Sequence, residues 1–129
     1  MQQKRHWAEV AAEELLLGLG WRLLARNYRL RGGELDLVFH DEVGNVVFVE
    51  VRQRASAAFG GAAASIDGRK LVRLRRTAAH FLTFGLPRAL ARDTADHHRA
   101  DREQRVRFDA VLVTGPEHHH TTSHVKDVA

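Results

Sequence analysis

Residues 33–38 read Gly-Glu-Leu-Asp-Leu-Val, and residues 46–52 read Val-Val-Phe-Val-Glu-Val-Arg. Both runs are rich in apolar and β-branched residues, and the segment at 41–45 has the acidic, Gly and Asn content that is typical of a turn. The two runs therefore predict a β-hairpin with strands near 34–40 and 46–53.

The predicted hairpin carries acidic side chains where a strand is expected to be apolar. With Val43 at the centre of the turn, Asp36 faces Glu50. Two positions further out, Glu34 faces Arg52. Opposed residues on an antiparallel pair have Cβ atoms about 4.5–5.5 Å apart, where like charges repel. Because Mg²⁺ and Mn²⁺ prefer carboxylate oxygens, we expect Asp36 and Glu50 to share a divalent cation; the other interpretation is a pair of strand-end acids neutralised by neighbouring arginines.

Arg52 comes two residues after Glu50 and so returns to the same face of the strand. Its guanidinium would stabilise charge on a phosphate or orient a metal-bound water. It cannot act as a general base, because Arg does not deprotonate in proteins. Glu34 is either a further site residue or the partner of Arg52 in a cross-strand ion pair, worth about 0.2–1 kcal/mol.

The two faces of the hairpin differ in character. Leu35, Leu37 and Phe39 alternate on one apolar face, whereas the opposite face is apolar near the turn and charged at its far end. Because both faces hold large apolar residues, we expect the hairpin to be central in its sheet and covered on both sides. The charged end is then expected to lie in a cleft at the edge of that cover.

The remainder of the chain predicts an α/β domain around the hairpin. Residues 6–19 have the apolar spacing of a helix, and residues 21–31 and 106–114 are predicted strands. A second helix is expected over residues 66–84, ended by the glycine and proline that follow.

The length of 129 residues suits one domain with one hydrophobic core. We expect a single domain over residues 1–129, with its core at about 6–114. Residues 88–105 lack periodicity and predict a mobile loop or a frayed helical extension. The His-containing tail at 115–129 is expected to add at most one short strand.

Composition favours a polyanionic partner such as nucleic acid. The formal net charge is +4 and the pI is near 10.3. The excess is local, because residues 55–107 carry eleven basic and five acidic side chains, whereas residues 1–54 carry eight of each. We predict that five cations contact a nucleic-acid backbone, giving affinity and salt dependence without sequence reading: Arg54, Arg69, Lys70, Arg73 and Arg76. The alternative for the helical stripe is an ordinary solvated face.

Several classes of protein are not expected from this sequence. Cysteine is absent, which excludes disulfides and thiolate metal sites and fits a cytoplasmic protein. No apolar run is long enough to span a membrane, and the N-terminus does not lead into a signal-peptide core. The sequence also lacks a P-loop, a GxSxG elbow, an HExxH helix and a Rossmann glycine pattern.

Short motifs along the chain resemble those of the YraN family of small bacterial proteins. An acid followed by Glu-x-cation on neighbouring strands is also similar to the core of PD-(D/E)xK nucleases. The matching pieces follow one another over most of residues 7–114: Trp7-Ala8-Glu9, Arg26-Asn27, Gly33-Glu34-Leu35-Asp36-Leu37, Phe48-Val49-Glu50-Val51-Arg52, Gly60-Gly61-Ala62-Ala63-Ala64-Ser65-Ile66, Lys70 and Arg107-Phe108-Asp109-Ala110-Val111.

The resemblance implies a restriction-endonuclease-like, three-layer α/β core, in which helices flank a central mixed sheet of about four to five strands, as in archaeal Holliday-junction resolvases. It makes Asp36 and Glu50 the metal carboxylates. It makes Glu9 an additional acid from the first helix, although Glu9 also suits an ordinary solvent-facing position. It places Arg52 where the strict nuclease motif has lysine, and it keeps a lysine at Lys70, near the cleft.

Three functions are consistent with these patterns. The first is Mg²⁺- or Mn²⁺-dependent hydrolysis of phosphodiester bonds in structured or branched DNA. The second is a nucleic-acid-binding module of the same fold that does not cleave, which the arginine at position 52 favours. The third is a protein-interaction role in which the basic stripe meets an acidic partner. The sequence leaves open whether the chain forms a homodimer.

Overall fold

The computed structural model describes residues 5–55, 67–92 and 105–129. The elements follow in chain order as helix α1 (Trp7–Leu17), strands β1 (Arg22–Leu30), β2 (Gly33–His40) and β3 (Val46–Arg54), helix α2 (Gly68–His80), a π-helical turn (Phe81–Gly85), helix α3 (Leu86–Ala91), and strands β4 (Val106–Thr114) and β5 (Thr121–Val125). Both predicted helices and all the predicted strands are present, including the short strand of the tail.

The five strands form one mixed sheet in the order β1-β2-β3-β4-β5. Neighbouring strands are antiparallel except for β3 and β4, which are parallel. Parallel neighbours require a crossover, and the chain that contains α2 and α3 provides it. The observed sheet confirms the expected α/β architecture with a central mixed sheet flanked by helices.

Helices cover both faces of the sheet. On one face α1 packs against an apolar cluster of buried side chains: Ala8, Ala12, Leu16, Trp21, Leu37, Phe39, Val47, Val49, Val111 and Val113. On the other face α2, the π-helical turn and α3 cover a second cluster: Leu24, Leu35, Val38, Val46, Phe48, Leu74, Ala78, Phe81 and Leu86. The hairpin β2–β3 lies at the centre of the sheet and contributes to both clusters, as expected. Within the described residues, no helix combines the length and apolar character needed to cross a membrane.

The alternation of β2 side chains between the two faces of the sheet is interrupted near the start of the strand. Leu37 lies opposite Val49, which confirms the predicted register of the hairpin. Leu37 and Phe39 pack under α1, but Leu35 belongs to the cluster of the opposite face, so the prediction that all three share one face is wrong. The β2 residues from Leu37 to His40 pair with β3, whereas those that precede Leu37 pair only with β1. The strands of the hairpin therefore diverge there, which opens a cleft at the charged end.

The second helix does not end at Gly85 and Pro87, contrary to the prediction. A π-helical turn carries it onward, with the Leu86 N–H bonded to the carbonyl oxygen of Phe81. Pro87 lies in the first turn of α3, where a missing N–H is tolerated best. Gly85 has ordinary helical angles, and it is required by space, because a Cβ there would overlap the Phe81 ring.

This continuation shortens the loop that was expected at 88–105. Residues 88–91 are helical, so the alternative of a helical extension is correct for them. Residues 93–104 lie outside the described part of the chain, and the prediction of a mobile loop stands untested there.

Candidate functional site

A cleft of about 220 Å³ lies where β2 and β3 diverge. Asp36 and Glu50 both line it, and Lys70 and Arg73 line it from α2. The structure thus brings the two predicted metal carboxylates to one cavity, together with two of the five predicted nucleic-acid contacts. Their roles as metal ligands and phosphate contacts remain predictions.

Asp36 is held at the point of divergence by the backbone of β3. Its Oδ2 accepts a hydrogen bond of 2.9 Å from the backbone N–H of Val51. Burial raises the pKa of Asp36 to about 6, the Val51 bond and Lys70 lower it, and the charges of Glu9 and Glu34 raise it. The protein therefore opposes ionisation of this carboxyl, and a divalent cation would supply the positive charge that its anion lacks.

Glu50 is buried and faces two cations. Lys70 Nζ contacts one carboxylate oxygen, and Arg52 donates to the other at 3.3 Å. The Arg52 side chain is itself only 11 % exposed, and burial lowers its pKa. Arg52 therefore lies beside Glu50 as predicted, while Lys70 reaches the same carboxylate from the opposite wall of the cleft.

Glu34 does not pair with Arg52. It lies opposite Arg29 in the β1–β2 register and forms an ion pair of 3.2 Å with it. Asn27 Nδ2 donates to Glu34 and to Glu9, each at 3.2 Å, and so links an acid of β2 to an acid of α1. Asn27 adopts a left-handed φ of 48°, which Asn tolerates better than most residues. Glu9 and Glu34 are thus held together near Asp36, whose pKa they raise.

Close packing of α2 on β2 positions the cations of the cleft. Asp67 caps α2 by accepting a bond of 3.0 Å from the backbone N–H of Lys70. Gly33, at the start of β2, lies so near Thr77 that a Cβ at position 33 would overlap the Thr77 hydroxyl. The first turns of α2 therefore lie over the diverging strands, with Lys70 and Arg73 facing the acids.

The other predicted backbone contacts lie elsewhere on the surface. Arg69 and Arg76 are exposed on α2. Arg54 ends β3 and donates to the carbonyl oxygen of Gln53 at 3.1 Å. Among the described residues, these three do not belong to the lining of the cleft.

A charged network centred on Asp109, which also belongs to the lining of the cleft, ties the tail to the sheet. Asp109 accepts bonds of 2.8 and 3.0 Å from Arg107 and one of 3.0 Å from the backbone N–H of Asp127. His124 Nε2 lies 2.7 Å from the same carboxylate. Burial alone would raise the pKa of Asp109, but the bonds from His124 and Arg107 outweigh it and the pKa is lowered. Asp109 is therefore a stabilising acid that joins β5 and the tail to β4.

Sequence reasoning assigned no role to Asn27 or Asp109. Both lie within motifs that carry the family resemblance, and membership of these motifs was the only sign in the sequence that they have a role. The bonds of Asn27 and Asp109 reach residues far away in the chain, up to 18 positions, so local patterns do not disclose them.

The carboxylates that line the cleft are the type of ligand that Mg²⁺ and Mn²⁺ prefer, and metal binding there stays a prediction. In the described residues, no three His, Cys, Asp or Glu side chains form a ready metal-binding group. A pair of carboxylates is nevertheless the usual protein contribution to a Mg²⁺ site, because this ion keeps several waters and takes oxygens from substrate phosphate. The raised pKa of Asp36 fits the same interpretation, since an incoming cation would favour its charged form.

Comparison with known proteins gives a consistent family assignment. The model of the uncharacterised protein family UPF0102 matches residues 8–113. A UPF0102 protein of Pseudomonas entomophila is 49 % identical over 111 residues, which cover 86 % of this chain and 79 % of the relative. One from Paracidovorax citrulli is 44 % identical over 115 residues, covering 84 % and 74 %. One from Pseudomonas putida is 60 % identical over 77 residues, so the match spans only 62 % of that relative.

Proposed function

Because the chain belongs to the uncharacterised protein family UPF0102, the YraN family to which its motifs pointed, and because its strand acids share one cleft, we propose that it is a metal-dependent nuclease-like protein. Its substrate would be structured or branched DNA, and its reaction the hydrolysis of a phosphodiester bond. The observation that supports this most directly is the meeting of Asp36 and Glu50 in a cleft whose opposite wall carries Lys70 and Arg73.

Asp36 and Glu50 would hold the cation, which supplies a polarised phosphate oxygen and an activated water when bound. Lys70 and Arg73 place positive charge where a DNA phosphate would enter the cleft. Arg52 fixes the orientation of the Glu50 carboxylate through its bond of 3.3 Å. Lys70 would exchange its contact with Glu50 for the substrate phosphate, since one ammonium group serves either anion.

A second candidate function is nucleic-acid binding without cleavage. The contacts around Glu50 favour it, because Lys70 and Arg52 already neutralise this carboxylate without a metal. In such a protein the cleft would act as a cationic phosphate site, and divalent ions would not be needed.

A cleavage assay with matched variants separates the two. Wild type is incubated with single-stranded, duplex, flap and four-way-junction DNA, in Mg²⁺, Mn²⁺ or EDTA. Metal-dependent cleavage of at least one substrate, lost in Asp36→Asn and retained in Glu14→Gln, is the expected result; Glu14 is an exposed acid of α1. Cleavage by Asp36→Asn at the wild-type rate would refute the site. Binding without cleavage by wild type in every condition would favour the second function.

A further inference from the structure

The unexpected continuation of the second helix lengthens its basic stripe. Side chains three or four positions apart lie on the same side of a helix. The residues that follow one another at this spacing run from the cleft to the end of α3: Arg69, Arg73, Arg76, His80, Phe84, Arg88 and Arg92. A single line of cations, interrupted by two rings, therefore leads away from the candidate metal site.

A groove lies at the far end of this line. It has a volume of about 530 Å³ and runs between β1 and the helix. Its walls include Tyr28, His80, Phe84, Arg88 and Arg92. Aromatic faces and cations thus line the same cavity, which is the combination found where proteins hold single-stranded nucleic acid.

The rings of the groove contact one another at tilted angles. The Tyr28 hydroxyl lies 2.6 Å from His80 Nδ1 and fixes the imidazole. The centroids of His80 and Phe84 are 4.6 Å apart, with their planes tilted by 44°. Phe84 is 57 % exposed, so much of its ring surface is open to solvent. It is held by a neighbouring ring and offers the rest of its surface to a ligand.

We propose that this groove holds unpaired nucleotides of a DNA strand whose backbone runs along α2 from the cleft. A nucleobase would stack on Phe84 and His80, and Arg88 and Arg92 would contact the flanking phosphates. The proposal rests on the proposed function for its choice of DNA. The charges of the groove support the proposal independently. Arg26, the groove arginine of β1, is already paired with Glu13. Among the described residues, no ion pair neutralises the other two groove arginines, Arg88 and Arg92.

The length of the line sets the distance between the two sites. Lys70 and Phe84 are fourteen residues apart, which corresponds to about 21 Å at a rise of about 1.5 Å per residue. A DNA strand covers that distance with about six nucleotides at duplex spacing, and with fewer when it is extended. A substrate with an unpaired segment a few nucleotides from the scissile bond would therefore occupy both sites.

The test is fluorescence anisotropy with a labelled single-stranded oligothymidine, measured in EDTA so that metal plays no part. Phe84→Ala is expected to weaken binding at least about fivefold, because stacking of a base on an aromatic ring is lost. Affinity for blunt duplex is expected to change less than twofold. Phe84→Tyr keeps the ring and should bind as wild type does. Val72→Ala, which shortens an exposed apolar residue of α2 outside the groove, is the matched control. Wild-type affinity in Phe84→Ala would overturn the proposal.

The outcomes keep this inference separate from the proposed function. Loss of cleavage in Asp36→Asn, together with weakened single-strand binding in Phe84→Ala, supports both. Weakened binding in Phe84→Ala in a protein that cleaves nothing leaves the groove standing and rejects the nuclease. Sedimentation provides one further check: if Phe84→Ala turns a dimer into a monomer while single-strand affinity is unchanged, the groove is a contact between two copies, and the inference is wrong.

Discussion

Replacing Asp36 with Asn is expected to stabilise the metal-free protein at neutral pH. Burial raises the pKa of Asp36 from 3.8 to about 6, so folding makes its ionisation harder. A difference of about two units corresponds to about 3 kcal/mol, because each unit is worth about 1.4 kcal/mol. The amide oxygen of the replacement would still accept the bond from the Val51 N–H, so the charge is removed and the contact is kept.

The effect has a definite dependence on pH. A carboxyl whose pKa is higher in the folded protein than in the unfolded chain stabilises the fold while it is protonated. The contribution from Asp36 is therefore fully present below pH 3.8 and is lost as the pH rises through about 6. We expect Asp36→Asn to exceed wild type by about 3 kcal/mol near pH 8 and by less than about 1 kcal/mol near pH 4.

Urea unfolding followed by circular dichroism, in EDTA and at several pH values, measures this difference. Glu14→Gln makes the same chemical change at an exposed position of α1 and should match wild type throughout. A variant less stable than wild type near pH 8 would refute the reasoning, because it would mean that the ionised carboxyl contributes to the fold. A gain in stability that does not change with pH would show that its origin is not the charge of Asp36.

Three further predictions follow from the same contacts. Asp109→Asn is expected to lower the free energy of unfolding by about 2–4 kcal/mol at neutral pH, measured by urea unfolding, because the cationic partners of Asp109 lose an anion. Since the pKa of Asp109 is lowered in the folded protein, wild type should lose this stability only as the pH falls below 3.8. Gly85→Ala is expected to lose about 1–2 kcal/mol despite its better helix propensity, because the new Cβ overlaps the Phe81 ring, and a higher melting temperature would contradict this. Lys70→Gln is expected to tighten Mn²⁺ binding about tenfold in calorimetry by removing the cation that contacts Glu50, whereas unchanged affinity would show that no competition exists.

The hairpin and its acids were predictable because their signals are local. The turn at 41–45 and the apolar runs beside it set the register, which the structure confirms at Leu37 opposite Val49. One position beyond that pair, the extrapolated register places Asp36 opposite Glu50, and in the structure both residues line the cleft. Their shared cleft was also foreseen, from the change of character along one face of the hairpin.

The partner of Glu34 was not predictable in the same way. Extrapolating the hairpin register gives Arg52, whereas the β2 residues that precede Leu37 have separated from β3, and Glu34 pairs with Arg29 on β1. Where two strands separate depends on what packs over them, here the close approach of α2 at Gly33. That approach joins distant parts of the chain and leaves no periodic trace in the sequence.

The end of the second helix was predicted wrongly for a related reason. Gly85 and Pro87 usually end a helix, but here a π-helical turn carries the helix past Gly85, and the proline falls in the first turn of α3, where it costs little. The error concealed the groove, because Arg88 and Arg92 lay in a segment that was expected to be a mobile loop or a frayed helical extension.

The most direct test of the shared cation site is a calorimetric titration of Mn²⁺ into wild type and into the double variant Asp36→Asn, Glu50→Gln near pH 7.5. Wild type is predicted to bind one ion per chain in a saturable manner, more weakly near pH 5, where Asp36 is protonated. The double variant, folded by circular dichroism, is predicted to show no such binding. Equal binding by the two proteins, or none by wild type at millimolar Mn²⁺, would contradict the assignment of these carboxylates as a metal site.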